Sequence, residues 1–211
     1  MEFMYLDLPG FQDESNDQNL GLMRIETLAQ RHARKTTGKK PRLYKFTSND
    51  INDRISWIER EINVGKRSPN VRQIAADALK GVPPRQWERS AKALFKWTRD
   101  NIRYTLDPHG VELFQSADRS AQVGIGDCDD QSIVLSSLLM SVGIPVRLRV
   151  IGLKGQDKFQ HIYVLAGLPP HRPTKWLPLD ASRAEAAGWE LPESERGLLR
   201  DYAVDDYDPN E

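Results

Sequence analysis

Gly124-Ile-Gly-Asp-Cys-Asp-Asp-Gln-Ser-Ile-Val-Leu-Ser-Ser-Leu-Leu-Met140 contains Cys128, the one cysteine among 211 residues. Turn formers precede it, and from Ser132 on the apolar residues Ile133, Leu135, Leu138, Leu139 and Val142 suit a buried helix. Gly143 and Pro145 then stop that helix. Cys128 therefore falls at or near a first helical turn. Unpaired N–H groups and the positive end of the backbone dipole converge there, and both favour thiolate, the nucleophilic form. Asp127 is the expected N-cap, with Asp130 reaching back in a capping box. A lone cysteine can equally be a buried structural residue, so the downstream residues have to decide its role.

Upstream of this stretch the chain reads as helical. Ser48-Asn-Asp50 starts a helix carrying Ile51, Ile55, Ile58 and Ile62 at spacings of four, three and four. Ser68-Pro69 opens a second, with Val71, Ile74, Ala75, Ala78 and Leu79 on one face and Gly81 at its end. A third is predicted over residues 85–103, burying Trp87, Ala91, Leu94, Phe95, Thr98 and Ile102, and Tyr104 leaves it as extended chain. Asp107-Pro-His-Gly110 reads as a turn, with His109 exposed in it.

Downstream the period changes to two. Val146-Arg-Leu-Arg-Val-Ile151 alternates as a strand with one wet face. On that face, Arg147 and Arg149 either meet solvent or line a cleft for an acidic substrate. Phe159-Gln-His-Ile-Tyr-Val-Leu165 and Lys175-Trp-Leu-Pro-Leu-Asp180 supply two more strands, with connections short enough for antiparallel neighbours. The fold class is α+β: a helical front half and a central cysteine-bearing helix packed on a small antiparallel sheet. The domain divides as an N-terminal extension over 1–46, with one short helix near 20–34, a core over 47–200 and an acidic tail over 201–211. In the extension, Leu20-Gly-Leu-Met23 is an apolar patch suited to lying in a groove.

Composition narrows the function. Residues 1–105 carry 20 Lys and Arg against 13 Asp and Glu, a net +7, and the remainder carries the opposite, −7. Seven basic residues and no acid occur over 31–45. Stacking aromatics are not interleaved with them, so a solvated arm is expected and nucleic acid is not. One cysteine excludes an internal disulfide and a multi-cysteine zinc site and fits a reducing, cytoplasmic compartment. The N-terminus reads as having no secretory signal, and no stretch is long enough to span a membrane. Asp127, Asp129 and Asp130 read as caps and dipole partners, with no metal or cofactor expected.

His161 lies in the middle strand and Asp180 ends the next. Adjacent strands can bring the two together while the helix delivers Cys128 to the same edge, which meets the needs of an activated thiol, its base and the group that orients the base. Gly126-Asp-Cys128, His161-Ile-Tyr163 and Trp176-Leu-Pro-Leu-Asp180, with Trp97-Thr-Arg-Asp-Asn-Ile-Arg-Tyr104 and Gly143-Ile-Pro-Val-Arg147, resemble the transglutaminase-like superfamily. The likeness covers roughly residues 85–181, and the Gly-Asp-Cys-Asp-Asp-Gln form is most similar to the bacterial and phage-borne branch. The resemblance implies a rearranged papain-like fold in which Cys128 is nucleophile, His161 base and acid, and Asp180 the orienting residue.

It also implies acyl transfer at an amide, through a thioester. Preorganised donors must hold the oxyanion, and the expected ones are the Cys128 N–H and a side-chain amide, Gln115 ahead of Gln122. Three readings stay open. One is a cysteine peptidase or amidase acting on a protein or peptide. The second is an amine-transferring, crosslinking enzyme with the same triad. The third is a non-catalytic module bound to a phage structural partner within the particle.

Overall fold

A computed structural model of the chain describes residues 42–46, 50–107 and 112–209. The helix expected near 20–34, the Leu20–Met23 patch, most of the basic run and His109 lie outside the described residues. Leu43–Phe46 forms β1, which pairs antiparallel with β3, Glu112–Gln115. The stretch taken as extension thus contributes a strand.

Asp50 caps α1, Ile51–Gly65, by accepting the Asn52 N–H, and Ile55, Ile58 and Ile62 are buried as their spacing requires. Ser68 caps α2, Pro69–Ala78, which buries Val71, Ile74 and Ala75. The third helix, α3, spans Trp87–Asn101. It starts later than its period suggests because Arg85 adopts a left-handed φ of 65°, which a helix cannot include. Ala91, Leu94, Phe95 and Thr98 form its buried stripe, whereas Trp87 is only partly covered. The chain continues into β2, Arg103–Tyr104, and after β3 into a short helix, α4, Ala117–Val123. Ser116 and left-handed Gly124 cap α4 at its two ends. β4, Ile125–Gly126, then runs parallel to β2 and leads directly into the central helix.

That helix, α5, spans Cys128–Ser141. All its residues from Asp129 to Leu139 are buried, because α1, α2, α3 and α4 surround it on the sides not covered by the sheet. Close approach to α1 depends on Gly65. A Cβ there would sit 2.4 Å from Ser137 Oγ and 2.9 Å from Ala117 Cβ. Gly65→Ala is therefore expected to cost about 1–3 kcal/mol by overpacking, read as a lower urea midpoint. A midpoint equal to wild type would mean that α1 moves aside freely.

The sheet orders β7 (Lys175–Leu179), β6 (His161–Leu168), β5 (Val146–Leu153) and β8 (Arg196–Ala203), every pair antiparallel. Val146, Leu148, Val150, Ile162, Val164, Leu177 and Leu179 face the helices and join their core. On the other face Ile151, Tyr163, Leu165 and Leu191 form a second small core edged by Trp176 and Trp189. Arg147 stacks over Trp176 at 4.1 Å, and Arg149 is held by Asp201 and Glu190 at 2.5–2.7 Å. Both arginines thus belong to this outer face. β8 carries the chain past the boundary set at residue 200, and its last residues and those that follow bind back to α1. Tyr202 donates to Asn52 (3.3 Å), Asn63 donates to the Asp205 carbonyl (2.9 Å), and Lys66 pairs with Asp206.

Candidate active site

Two elements deliver the reactive pair. Asp127 caps α5 by accepting the N–H groups of Asp129 (3.0 Å) and Asp130 (3.1 Å), which fixes Cys128 at the first helical position. His161 opens β6, where its register partner is Ile151. Cys128 and His161 line one narrow cleft, walled by Ile51 and Arg54 of α1 and by Val150 and Phe159. About 20 Å³ is open within it, room for roughly one water. The Ile162 peptide joins the two elements: its carbonyl accepts from Ser132 Oγ at 3.5 Å, and its backbone N–H favours the ionised form of Cys128.

Asp180 follows β7, which pairs with β6, and its Oδ2 lies 2.6 Å from His161 Nε2. The carboxylate is itself fixed, because Oδ1 accepts both the Ser182 hydroxyl (2.7 Å) and the Ser182 N–H (3.2 Å). Burial opposes ionisation of Asp180, but His161 and Ser182 outweigh it and hold its pKa below the ordinary value. With Nε2–H donated to Asp180, the ring nitrogen left to accept a proton is Nδ1. Ser182 was missed in the sequence, although Asp180-Ala-Ser182 has the spacing of an Asx-turn.

Gln115 is engaged elsewhere. Its N–H and Nε2 donate to the two Asp130 oxygens at 2.7 and 2.8 Å, and Nε2 also donates to the Ile125 carbonyl at 3.1 Å. Both amide hydrogens are thus taken, and Gln115 braces the start of α5 where an oxyanion donor was expected. The same bonds correct the capping box: Asp130 turns to β3 and does not reach back to Asp127. Gly126 makes room for this, since a Cβ there would lie 2.6 Å from Asp130 Cβ.

The helix-terminus argument for an easily formed thiolate also fails in the resting protein. Burial, then the Asp129 and Asp127 carboxylates, push the Cys128 thiol well above its usual pKa, and the Ile162 N–H and Arg54 only partly oppose them. Burial raises the carboxyls too, Asp127 and Asp130 to about 7 and Asp129 to about 6. Tyr104, across from Gly126, is raised to about 12 by burial and by the nearby Cys128, Asp127, Asp129 and Asp180.

These shifts have a thermodynamic sign. Asp127, Asp129 and Asp130 titrate higher folded than unfolded, so their contribution is complete below about pH 3.9 and is lost as pH rises through 6–7. Asp180 runs oppositely and loses its contribution as pH falls below the ordinary carboxylate range. The melting temperature is therefore expected to rise between pH 8 and pH 5, then fall in stronger acid. A flat profile from pH 8 to pH 5 in scanning calorimetry would contradict the buried-acid account.

A family model described as the transglutaminase-like superfamily matches residues 72–181, just over half of the chain and every element that carries Cys128, His161 and Asp180. The chain belongs to that superfamily. This transglutaminase-like domain sits among cysteine-dependent hydrolases and transferases. No curated protein matches the chain. A solved structure of a candidate cysteine protease from Cytophaga hutchinsonii is similar at 14% identity and a TM-score of 0.41. The match takes in 64% of this transglutaminase-like chain and 51% of that one, so it spans about half of the solved protein's length. Among the described residues no helix is long and apolar enough to cross a membrane.

Proposed function

We propose that the protein is a cysteine-dependent acyl-transfer enzyme cleaving a peptide, isopeptide or side-chain amide bond, with Cys128 as nucleophile, His161 as base and acid, and Asp180 orienting the imidazole. The observation that carries this reading is the 2.6 Å His161–Asp180 contact beside the cleft that holds Cys128. Because the resting thiol is held neutral, His161 removes its proton as the sulfur attacks the carbonyl carbon. The C–S bond forms, and the imidazolium protonates the departing nitrogen as the C–N bond breaks. A thioester on Cys128 results. Water, deprotonated by His161, then releases the acid, or an amine takes the acyl group. The Cys128 N–H, at the first position of α5 and without an intrahelical acceptor, is the backbone donor for the oxyanion. Protein or peptide substrates, met in the cytoplasm or within a phage particle, are part of the same proposal.

The test uses glutaminyl peptides and denatured casein, with and without a fluorescent primary amine. Mass spectrometry follows new termini, released ammonia, incorporated amine and an acyl adduct on Cys128. Hydrolysis products alone support the peptidase or amidase reading, and amine incorporation supports the crosslinking one. Wild type indistinguishable from Cys128→Ala in every channel overturns both and leaves the interaction module.

A further inference from the structure

The cleft holds a charge problem that the three residues of the proposed triad do not solve. Around the Cys128 sulfur, α5 itself contributes Asp127, Asp129 and Asp130, with Asp107 from the segment after β2 acting on all three carboxyls. β2 adds Tyr104, β6 adds His161, and Asp180 follows β7. Five carboxylates and the Tyr104 phenol thus gather near a group that must become an anion. Arg183 lies 3.7 Å from Asp180, and the cation that meets Asp129 from the α1 wall of the cleft is Arg54. Arg54, in the first turn of α1, places Nη2 3.7 Å from Asp129 Oδ2, and its guanidinium lies 5.6 Å over the Phe114 ring. Its side chain is 30% exposed against 4% for Asp129, so it closes the carboxylate off from solvent while itself bordering the opening.

We propose that Arg54 is a positioning residue: paired with Asp129 and packed on Phe114, it neutralises the carboxylate that lines the cleft beside Cys128 and so keeps Cys128 ionisable during attack. The inference rests on Cys128 being the nucleophile. Arg54 acts through Asp129 and the local field, without itself bonding to a reacting atom. An opposite charge 4–6 Å away favours the ionised form and a like charge disfavours it. Removing Arg54 and removing the Asp129 charge must therefore move the thiol in opposite directions. The charges around the thiol agree in sign, Asp129 raising its pKa and Arg54 lowering it. A guanidinium that served only as a lid over Phe114 would give no such opposition.

The experiment is alkylation of the full chain by iodoacetamide from pH 6 to pH 10, in wild type, Arg54→Gln, Arg54→Lys, Asp129→Asn and the double variant. Far-UV circular dichroism checks the fold of each. The expected result is about tenfold slower alkylation at pH 7 for Arg54→Gln, one pH unit in midpoint, and about tenfold faster for Asp129→Asn. Arg54→Lys stays near wild type, and the double variant returns to within about threefold of it. Arg54→Gln reacting at the wild-type rate overturns the proposal, as does a double variant as slow as Arg54→Gln. If Arg54→Gln fails to fold, Asp129→Asn alone decides, since slowed or unchanged alkylation there overturns the charge argument. Iodoacetamide reads the thiol without any substrate. A wrong assignment of Arg54 thus shows as an alkylation rate indifferent to residue 54, whereas a wrong nucleophile shows as absent acyl adducts on Cys128.

Discussion

His161→Ala lowers acyl transfer at Cys128 by about 10³-fold, within the range that a positioned general acid and base supplies. The size follows from the resting state of the thiol. Burial and two carboxylates keep Cys128 protonated at neutral pH, so almost no thiolate exists until a base removes the proton during attack. His161, with Nε2 fixed by Asp180, lines the cleft and is the base in the proposed mechanism. On the proposed mechanism the variant also loses the acid that protonates the leaving nitrogen. Asp180→Asn is expected to cost a comparable factor, because with Ser182 holding the amide oxygen the NH2 group faces Nε2 and selects the tautomer whose Nδ1 already carries a proton. The check is single-turnover thioester formation with an amide donor in wild type, His161→Ala and Asp180→Asn. A His161→Ala rate within tenfold of wild type would remove His161 from the mechanism.

Leu138→Ala destabilises the fold by about 2–5 kcal/mol, the usual cost of emptying a filled site that cannot collapse. Leu138 is completely buried near the end of a helix enclosed by four others and by a sheet. Neighbours on so many elements cannot all move inward to fill the gap. Against a total stability of about 5–15 kcal/mol, this is the largest single-residue loss expected here. Urea unfolding should show a lower midpoint with an unchanged slope. A loss below about 1 kcal/mol would mean that α5 is loosely packed, contrary to its burial from Asp129 to Leu139.

The α+β class and the three large helices before Cys128 were legible because isoleucine, alanine and leucine recur at helical spacing, and the first two helices leave their caps in the sequence as Asp50 and Ser68. β5, β6 and β7 were legible because alternation or a compact apolar run marks a half-buried strand. β8 was not, since Arg196-Gly-Leu-Leu-Arg-Asp-Tyr-Ala203 is an edge strand exposed on both faces and shows no alternation. β1, β3 and α4 escaped because elements of four to seven residues hold too few apolar positions to establish a period. Within the site, the positions of Cys128, His161 and Asp180 followed from motif order. Their electrostatics did not. Whether a cysteine at a helix start becomes acidic depends on how deeply the fold buries it and which carboxylates it collects, and neither is encoded locally. Gln115 went astray for a related reason: a glutamine before a nucleophile looks available until a buried carboxylate claims its hydrogens.

The contacts that return the chain from β8 to α1 join residues 142 to 150 positions apart. Closing a loop of that size costs roughly 4 kcal/mol of chain entropy, which the contacts begin to offset only once the sheet between them exists. Distant pairings of this kind slow folding. Helices α2 to α5 have nearer partners and are expected to assemble first, with the contacts between α1 and the end of β8 forming late. Ile51 and Arg54 travel with α1, and the cleft therefore closes at the end of folding. During refolding, helical signal should appear before Cys128 becomes shielded from a fast thiol reagent. For that interval the chain carries Cys128 without the wall that Ile51 and Arg54 supply.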